Sequence, residues 1–538
     1  MFFQCSQAFL TLRYTIQVNA VNSLFKNLKA FGTYNNRSAE EEVKYKPDVV
    51  IYKGDLRNPP SVLTSFQRME MFVEFRHGNN SDPFGIYDES SWELLENARS
   101  TRRQITLYST RQQAYQFRTS VLTVGIFGTV VRFFRWDRTD SKVSVPIDYS
   151  TAEGNRHLTE FFTRFNLMSP EARGWDPTVK DATEKEIEDF DEAIRKVCQR
   201  PKREAEGDNV DLLFSKLAES VGRRDQYPRK QVSVLDGKKT KYYIVGRPTS
   251  VVKLPTGRAT RGFVAMSMET KRLVFLKDSW RPDVGGIEAE DHWHSILRTK
   301  RVKRIGAFSH GSDVYGTKSF IRCHDKKQRT LNLYAKENGE LETMGFIHYR
   351  SVQPELYLPL ETFKSSKHLT SVMLDIALGT FSHYAFRSPV LNLLLAIEHV
   401  HDAGLFHGDL SPGNIMVDIR GCGRLIDFDM ARYRDKTGTW QALRAVGFRS
   451  LPFRVELVAE HGWLGHMAVH VDQAAHLPRE GIRGFRRARI VLLRYLLRRP
   501  PLGHTQQTYV LECEVYLRPD GKGCRRQPHR WCGEAKLV

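Results

Sequence analysis

The sequence has few cysteines and no long apolar run. Its seven cysteines are scattered from Cys5 to Cys532 without the paired spacing of a disulfide framework, which favours a reducing compartment. No apolar stretch approaches the length of a membrane-spanning helix. The first residues also lack the basic segment that opens a secretory signal peptide, so the sequence predicts a cytoplasmic or nuclear protein without a membrane anchor. Because no acidic residue precedes Glu40, an organellar targeting segment is the alternative.

Acidic residues are the minority among the charged ones. The chain holds 62 Asp and Glu against 82 Lys and Arg, and the resulting net charge of +20 favours acidic partners such as nucleic acid. The excess is greatest in residues 441–538, where 17 basic residues, 15 of them arginine, stand against 8 acidic ones. These arginines do not form a recognition motif with interleaved aromatic residues. A basic surface is therefore compatible with nucleic-acid binding but does not predict it, and the sequence leaves the oligomeric state open.

A group of regularly spaced polar residues lies in HGDLSPGNIMVDIRGCGRLIDFDMAR, residues 407–432. Asn414 follows Asp409 by five positions, and Asp427 follows Asn414 by thirteen. The stretches IMVDI and GRLIDF, on either side of RGCG, predict a hairpin that would return Asp427 to the side of Asn414. The side-chain oxygen atoms of Asn414 and Asp427 would suit a hard cation such as Mg²⁺, and Asp409 would accept a proton from a hydroxyl group. This layout predicts phosphoryl transfer, with Asp409 as a catalytic residue and with Asn414 and Asp427 as metal ligands.

A nucleotide-binding region should precede this segment. The stretch LPTGRATRGFVA supplies Gly257 and Gly262 between two predicted strands, where glycine would let the backbone approach phosphate groups closely. The stretch lacks a complete G-x-G-x-x-G pattern, so an ordinary hairpin that contains glycines explains it equally well on its own.

Lys277 lies near the end of the apolar strand predicted for RLVFLKDSW. A half-buried ammonium group needs a partner, and ATP phosphates together with a carboxylate of the next helix would supply one. That helix, in IEAEDHWHSILRT, offers Glu288 and Glu290. We prefer Glu290, because Trp, His and Leu then follow it at i+3, i+4 and i+7 on one helical face.

Several motifs resemble those of the fungal-type protein kinases, a divergent eukaryotic-kinase-like group. They are HGDLSPGNIMV, LIDFDMAR, TGTWQ and VFLKDSW, and YKPDVVIY, RRQITLYSTRQQAYQFRT and VVRFFRWDR resemble the segment that precedes the lobes in that family. The resemblance runs roughly over residues 10–440 and implies ATP, Mg²⁺ and Ser/Thr hydroxyls of a protein substrate. By this resemblance Lys277 anchors ATP, Asp409 is the catalytic Asp, and Asn414 and Asp427 are the metal ligands.

The fold class expected from the composition and the resemblance is α+β. It comprises a two-lobed protein-kinase-like fold, an α/β N-terminal module before it and an atypical C-terminal tail. Within the module, VNSLFKNLKAFG predicts a helix stopped by glycine. The expected boundaries are 1–175 for the module, 176–240 for a charged connector, 241–350 for the N-lobe, 351–440 for the core of the C-lobe and 441–538 for a basic tail.

Three positions depart from the protein-kinase pattern. Gly408 stands where many protein kinases have Arg, Ser411 where Lys is frequent, and Asp429 where the metal-binding loop usually has Gly. The motifs HGDL and IDFD also resemble those of aminoglycoside and choline phosphotransferases, so a small-molecule phosphotransferase is one alternative. An inactive pseudokinase that serves as an ATP-binding scaffold is another.

The tail also departs from the family pattern. Residues 442–504 contain no lysine and are weakly periodic, as a shifted reading frame would also produce. One helix is predicted there, with an apolar stripe through Ile490, Leu493 and Leu497, where a large lobe needs several. A hairpin and a basic coil are predicted after it.

The N-terminal module raises a hypothesis from another class. Asp48 in KPDVVIY and Glu74 in VEFRHG resemble the paired acids of metal-dependent nucleases, which hold Mg²⁺ for phosphodiester hydrolysis. Arg76 stands where a Lys is expected, and an arginine does not readily act as a base. Strand-end acids without catalytic function are therefore the preferred interpretation.

Overall fold

A computed structural model describes the chain and divides it into two compact units. The first unit comprises Met1–Arg203, Asp211–His292 and Ala307–Leu356, and the second comprises Glu204–Val210, Trp293–Gly306 and Tyr357–Val538. The residues described within these bounds are 18–33, 46–54, 64–85, 92–201, 209–250, 252, 254–284, 287–316, 326–330, 345–365, 368, 400, 403–409 and 411–433, with four strands between 453 and 517.

The first sheet of the first unit has seven strands. They are β1 (Leu28–Gly32), β2 (Val49–Lys53), β3 (Met71–Arg76), β4 (Val121–Phe127), β5 (Val130–Trp136), β6 (Ser141–Val143) and β7 (Ile147–Asp148). The order is β1-β2-β3-β4-β5-β6, with β7 also paired to β5. Only the β3–β4 pair is parallel, and the long helix α1 (Trp92–Tyr115) makes the crossover that a parallel pair requires. A second helix, α2 (Ala152–Leu167), is capped at its N-terminus by Thr151, whose hydroxyl accepts a hydrogen bond from Gly154 N.

The helix predicted for VNSLFKNLKAFG is wrong beyond Ser23. The chain is helical over 18–23 and then continues as β1. Leu28 and Ala30 are buried in the core that β1 shares with β2, so pairing with the neighbouring strand overrides the local helical pattern.

The second sheet of this unit is antiparallel throughout and also has seven strands. They are β8 (Val179–Asp181), β9 (Lys230–Asp236), β10 (Lys239–Pro248), β11 (Arg261–Ser267), β12 (Leu273–Pro282), β13 (His310–Asp313) and β14 (Phe346–Gln353). Their order is β13-β14-β12-β11-β10-β9-β8. The predicted strands around Gly257, Gly262 and Lys277 are therefore present as β10, β11 and β12.

The segment 176–240, predicted as a charged connector, contributes to this sheet through β8 and β9. It also contains α3 (Glu184–Gln199), which opens with a capping box of Thr183 and Glu186, and α4 (Asn209–Ser220). Residues of α3 and α4 pack on the sheet face that carries Val264. Phe117, just beyond α1, packs on the opposite face with Phe263. Both faces of the sheet are therefore covered within the first unit.

The second unit contains short strands and a separate four-stranded sheet. The short strands are β15 (Leu358–Pro359), β16 (Leu405–Phe406), β17 (Ile415–Val417), β18 (Gly423–Leu425) and β19 (Arg432–Tyr433). The separate sheet is antiparallel, in the order β20 (Phe453–Val458), β21 (Leu464–Val471), β22 (Arg486–Arg494) and β23 (Tyr509–Leu517).

The helix predicted in the tail is wrong for its described part. Ile490 and Leu493 lie in strand β22, and Leu497 lies outside the described residues. In the last stretch the described strand β23 pairs along its length with β22, and the rest of the predicted hairpin and the basic coil lie outside the described residues. A short apolar run such as IVLL does not by itself distinguish a helix from a strand.

The α+β class predicted from the sequence is confirmed. A helix, α5 (Glu290–Thr299), follows β12 and completes the helices used below. Within the described ranges, no helix is long and apolar enough to cross a membrane.

Candidate catalytic site

The predicted hairpin of the second unit is formed by β17 and β18, with Ile415 opposite Leu425. Asp418 closes its turn by accepting hydrogen bonds of 2.9 Å from the backbone N–H groups of Arg420 and Cys422. At the open end, Ile426 N donates to the backbone oxygen of Asn414 at 3.0 Å. The residue before Asp427 is thus held beside Asn414, as the spacing predicted.

Asn414 is also tied to Asp409. Its Nδ2 atom donates to the backbone oxygen of Asp409 at 2.7 Å and to Asp409 Oδ2 at 3.3 Å. Because the amide nitrogen faces Asp409, the side-chain oxygen Oδ1 is the Asn414 atom suited to bind a cation. The structure therefore brings Asp409, Asn414 and the chain at Asp427 into one hydrogen-bonded loop.

Asp427 has a left-handed backbone conformation, with φ of 65°. Few residues other than glycine adopt this region, although Asp and Asn do so more readily than most. Such conformations persist where the surrounding structure imposes them, and they are frequent at functional sites.

His407, to which the sequence analysis gave no role, connects the two ends of this loop. Its Nε2 lies 2.9 Å from the backbone oxygen of Ile426, and Asp409 N donates to its Nδ1 at 3.4 Å. These contacts assign the proton to Nε2. The ring is buried against Phe428 at a centroid distance of 4.6 Å. His407 thus positions Asp409 relative to the segment that carries Asp427.

Gly408 has a φ of 81°, and a Cβ atom at this position would overlap the backbone oxygen of Met430. The chain before Asp409 and the chain after Asp427 therefore approach each other more closely than any other residue type permits. This contact gives a physical reason for glycine where many protein kinases have Arg.

Lys277 and Glu290 meet in the first unit. Lys277 Nζ lies 3.3 Å from Glu290 Oε2, and Ser351 Oγ donates to the same oxygen at 3.1 Å. Lys277 is 4% exposed and Glu290 1% exposed, whereas Glu288 is exposed. Of the two carboxylates considered for Lys277, the structure thus brings Glu290 to it.

The two predicted glycines lie on the hairpin before the Lys277 strand. Gly262 is directly opposite Lys277 in the β11–β12 pair, and an added Cβ would overlap the ring of Phe275. Gly257 adopts a φ of 91°, which favours glycine, and its N–H donates to the backbone oxygen of Arg138 at 2.7 Å. The glycine-containing loop is thus tied to the N-terminal module.

The donor atoms fit a magnesium ion that also binds phosphate. Asp427 offers a carboxylate and Asn414 an amide oxygen, which are hard ligands. Among the residues that the structure describes, no three His, Cys, Asp or Glu side chains are grouped to hold a metal ion. A magnesium ion held by Asn414 and Asp427 would take its remaining ligands from water and a nucleotide, as is usual for Mg²⁺.

The nuclease-like acids are also close to each other. Arg76 Nη1 lies 2.6 Å from Glu74 Oε1 and 3.8 Å from Asp48 Oδ2. Burial raises the pKa of Glu74 well above its usual range, and the nearby Asp48 charge adds to this effect. The guanidinium of Arg76 thus contacts both carboxylates, and metal-dependent hydrolysis at this position stays a hypothesis.

Comparison with known proteins gives a family match over most of the chain. The sequence profile described as fungal protein kinase matches residues 91–471. Among curated proteins, a probable cell division control protein 7 homolog of Encephalitozoon cuniculi is 38% identical over 97 residues, which are 18% of this chain and 28% of that protein. GLH-binding kinase 1 of Caenorhabditis elegans is 33% identical over 81 residues, or 15% of this chain and 20% of that protein. The chain spans less than a third of the length of these curated relatives.

Among solved structures, one similar chain is the ROP18 kinase domain in complex with AMP-PNP and sucrose. The sequence identity is 15% and the TM-score is 0.22, with 49% of this chain and 70% of that chain covered.

Proposed function

Because the chain belongs to the fungal protein kinase family, with the two-lobed kinase-like α+β fold that the sequence predicted, we propose that it transfers the γ-phosphoryl group of ATP to Ser or Thr hydroxyls of proteins. The observation that carries the proposal is the hydrogen-bonded loop of Asp409 and Asn414. Asn414 binds Asp409 through its side chain and Ile426 through its backbone. These hydrogen bonds hold the proposed base, Asp409, close to Asn414 and to the backbone that leads into Asp427, the two proposed magnesium ligands.

Each group has a role that follows from its surroundings. Asn414 Oδ1 and the Asp427 carboxylate would hold Mg²⁺, which supplies neutralisation of phosphate charge when bound with ATP. The side chain of Lys277 is buried, and its Nζ atom would contact the phosphates. Glu290 orients the Lys277 ammonium through the 3.3 Å contact, and Ser351 in turn holds Glu290.

Asp409 accepts the proton of the acceptor hydroxyl as the hydroxyl oxygen forms its new bond to phosphorus and the bond to the leaving ADP oxygen breaks. His407 holds the Asp409 backbone and thereby orients the carboxylate. Asp409 thus acts as the general base and His407 as a positioning residue, and positioning supplies much of the rate enhancement in phosphoryl transfer.

Phosphate transfer from radiolabelled ATP tests the proposal, with generic protein substrates, aminoglycosides and choline as separate acceptors. Protein labelling by the wild type and its loss in Asp409→Asn, with nucleotide binding retained, are expected. Asp427→Asn should lose Mg·ATP binding while keeping its backbone, because Asn tolerates the left-handed conformation.

Two other results of this assay would favour a small-molecule phosphotransferase or an ATP-binding scaffold. Label on an aminoglycoside or choline alone would assign a small-molecule phosphotransferase. ATP binding without transfer to any acceptor would assign the scaffold function. An identical thermal response to Mg·ATP in the wild type and Asp427→Asn would contradict the site itself.

A further inference from the structure

The strand that carries Lys277 has a second charged residue on its other face. Successive side chains of a strand point to opposite sides, so Asp278 faces away from Lys277 and Glu290. Asp278 is only 1% exposed. A buried carboxylate next to the proposed nucleotide anchor requires partners, and those partners reach into the N-terminal module.

Asp278 lies between two arginines, one on each neighbouring strand. Arg261 on β11 and Arg350 on β14 are both directly opposite Asp278 in the strand register. Arg261 Nη2 donates to Asp278 Oδ2 at 2.6 Å, and Arg350 Nε donates to Oδ1 at 2.7 Å. The carboxylate thus joins three adjacent strands at the level of Lys277.

Arg350 extends this connection to the segment after the module. Its Nη2 donates to Asp176 Oδ2 at 2.5 Å, and its Nη1 donates to Thr178 Oγ1 at 2.7 Å. Arg350 is fully buried, so these contacts are shielded from bulk solvent. Asp176 itself is anchored to the module by a backbone hydrogen bond of 3.1 Å from its N–H to Phe117 O.

Gln328 and His348 close the connection into a ring. Gln328 Nε2 donates to Asp176 Oδ1 at 2.9 Å, which orients its Oε1 toward His348 Nδ1 at 2.7 Å. His348 Nε2 lies 2.8 Å from Asp278 Oδ1. Asp278 and Asp176 are therefore linked by two routes, through Arg350 and through His348 with Gln328.

Arg261 makes a second connection to the module at the end of α1. Its Nη1 donates to the backbone oxygen of Gln116 at 2.8 Å and to that of Ala114 at 3.3 Å, and its guanidinium lies 4.4 Å from the Phe117 ring centre. Carbonyl groups at a helix C-terminus lack partners within the helix and favour a cation. The module thus holds the strands of Gly262 and Lys277 at two points.

We propose that the N-terminal module positions Lys277 through this network, with Asp176 as a positioning residue for nucleotide binding. The inference rests on the proposed function, because it assigns to the module control of the proposed ATP site. The network lies on the sheet face opposite Lys277, so it acts on the ammonium group only through the backbone of β12. Any ligand or partner that broke the contacts between the N-terminal module and the second sheet would therefore weaken nucleotide binding without contacting the proposed ATP site.

Point variants of the full chain test this inference, with Asp176→Asn as the test variant. Asp82→Asn is the matched control, because Asp82 is a buried acid within the module and is bound there by Arg132 Nε of β5 at 2.7 Å and 2.8 Å. Hydrogen exchange of the peptide Leu273–Pro282 is measured first, without nucleotide. Faster exchange is expected in Asp176→Asn and no change in Asp82→Asn, although both lose thermal stability.

Mg·ATP affinity is measured next, at a temperature where all variants are folded. Asp176→Asn should bind about tenfold more weakly, within the range typical of coupling between separate sites, while Asp82→Asn binds as the wild type does. The double variant Asp176→Asn/Arg350→Gln removes one charge of each sign, so it leaves the net charge of the network unchanged. It should show the same change in exchange and affinity if Asp176→Asn alone does not fold.

Two results separate failure of this inference from failure of the proposed function. Unchanged exchange in β12, or equal effects of Asp176→Asn and Asp82→Asn, would overturn the positioning role. Faster β12 exchange in a protein whose wild type does not bind Mg·ATP would support the mechanical connection and reject the ATP site instead.

Discussion

Asp278 and Glu74 are both buried carboxylates on central strands of the first unit, but their surroundings differ in charge. Asp278 on β12 faces Arg261 and Arg350 across both neighbouring strands. Burial alone would raise its pKa, but the charges of His348, Arg261 and Arg350 hold the pKa well below its usual range. Glu74 on β3 has one half-buried arginine, Arg76, and a second acid nearby.

The difference shows what makes a buried acid stabilising. Glu74 is fully buried, and its pKa rises well above the usual range because burial and the Asp48 charge outweigh the single contact with Arg76. At Asp278 the cations come from both sides and are themselves held by carbonyl groups and by Asp176. The desolvation cost of a buried carboxylate is therefore offset where cationic partners converge on it from several strands, and it remains uncompensated where they do not.

The largest expected effect is that of Asp278→Asn. The substitution keeps the shape of the side chain but leaves Arg261 and Arg350 buried with Asp176 as the only remaining carboxylate of the network. Loss of one member of a buried ion pair costs about 3–5 kcal/mol of unfolding free energy. Denaturant unfolding at pH 7 measures it, and a loss below about 1 kcal/mol would show that the network contributes little.

The same variant has a defined pH dependence. A carboxyl group with a lowered pKa stabilises the fold above its unfolded value, about 3.9 for Asp, and this stabilisation is lost as the pH falls through the folded value. The deficit of Asp278→Asn should therefore be present at neutral pH and shrink as the pH falls below about 4. A deficit that grows toward acid would contradict the direction of the shift.

Arg350→Lys is expected to have the next largest effect. The guanidinium of Arg350 binds Asp278, Asp176 and Thr178 at the same time, which a lysine ammonium cannot reproduce from one position. Loss of charge-assisted hydrogen bonds costs about 2 kcal/mol. Thermal unfolding measures the change, and a wild-type midpoint would mean that charge alone matters at this position.

Glu74→Gln should act in the opposite direction and stabilise the protein. A carboxyl group with a raised pKa destabilises the fold increasingly as the pH rises from the unfolded value, about 4.3 for Glu, to the folded one. The gain should thus be negligible near pH 4 and reach about 1 kcal/mol at pH 8, a usual magnitude for a single substitution. Unfolding midpoints across this pH range measure it, and a variant less stable than the wild type at pH 8 would reverse the comparison.

Arg76→Lys should have the smallest effect. The Arg76 side chain is 28% exposed, and lysine would retain the charge near Glu74 while losing the contact with Gln104. Partly exposed ion pairs contribute about 0.5 kcal/mol, so the midpoint should fall slightly. A loss as large as that of Arg350→Lys would show that exposure does not distinguish the two arginines.

The parts of the site that the sequence could predict are those with local patterns. Lys277 lies in an apolar strand, Glu290 opens a periodic helix, and the spacing from Asp409 to Asp427 fits a hairpin. Each inference needs only neighbouring residues, which is why the strands and contacts agree with it. The roles of these residues remain predictions.

The connection from Asp278 to Asp176 could not be predicted in the same way. Arg350 and Asp176 are 174 positions apart, and no local pattern pairs them. A signal was present, because Asp278 and Arg350 are charged residues near the centres of strands that begin with apolar residues. Such residues must find partners across the sheet, but the sequence does not say which. The error in β1 has a similar cause, since its partner β2 is not visible in the local pattern.

The contact of Gly408 with the Met430 carbonyl restricts how this loop can change over generations. Arginine at position 408 is excluded as a first step, because its Cβ would overlap a backbone atom that cannot rotate away. The segment around Met430 would have to move before such a replacement was tolerated. The residues around Gly408 and those around Met430 are therefore expected to change together. Replacement of Gly408 by arginine would need more than one substitution.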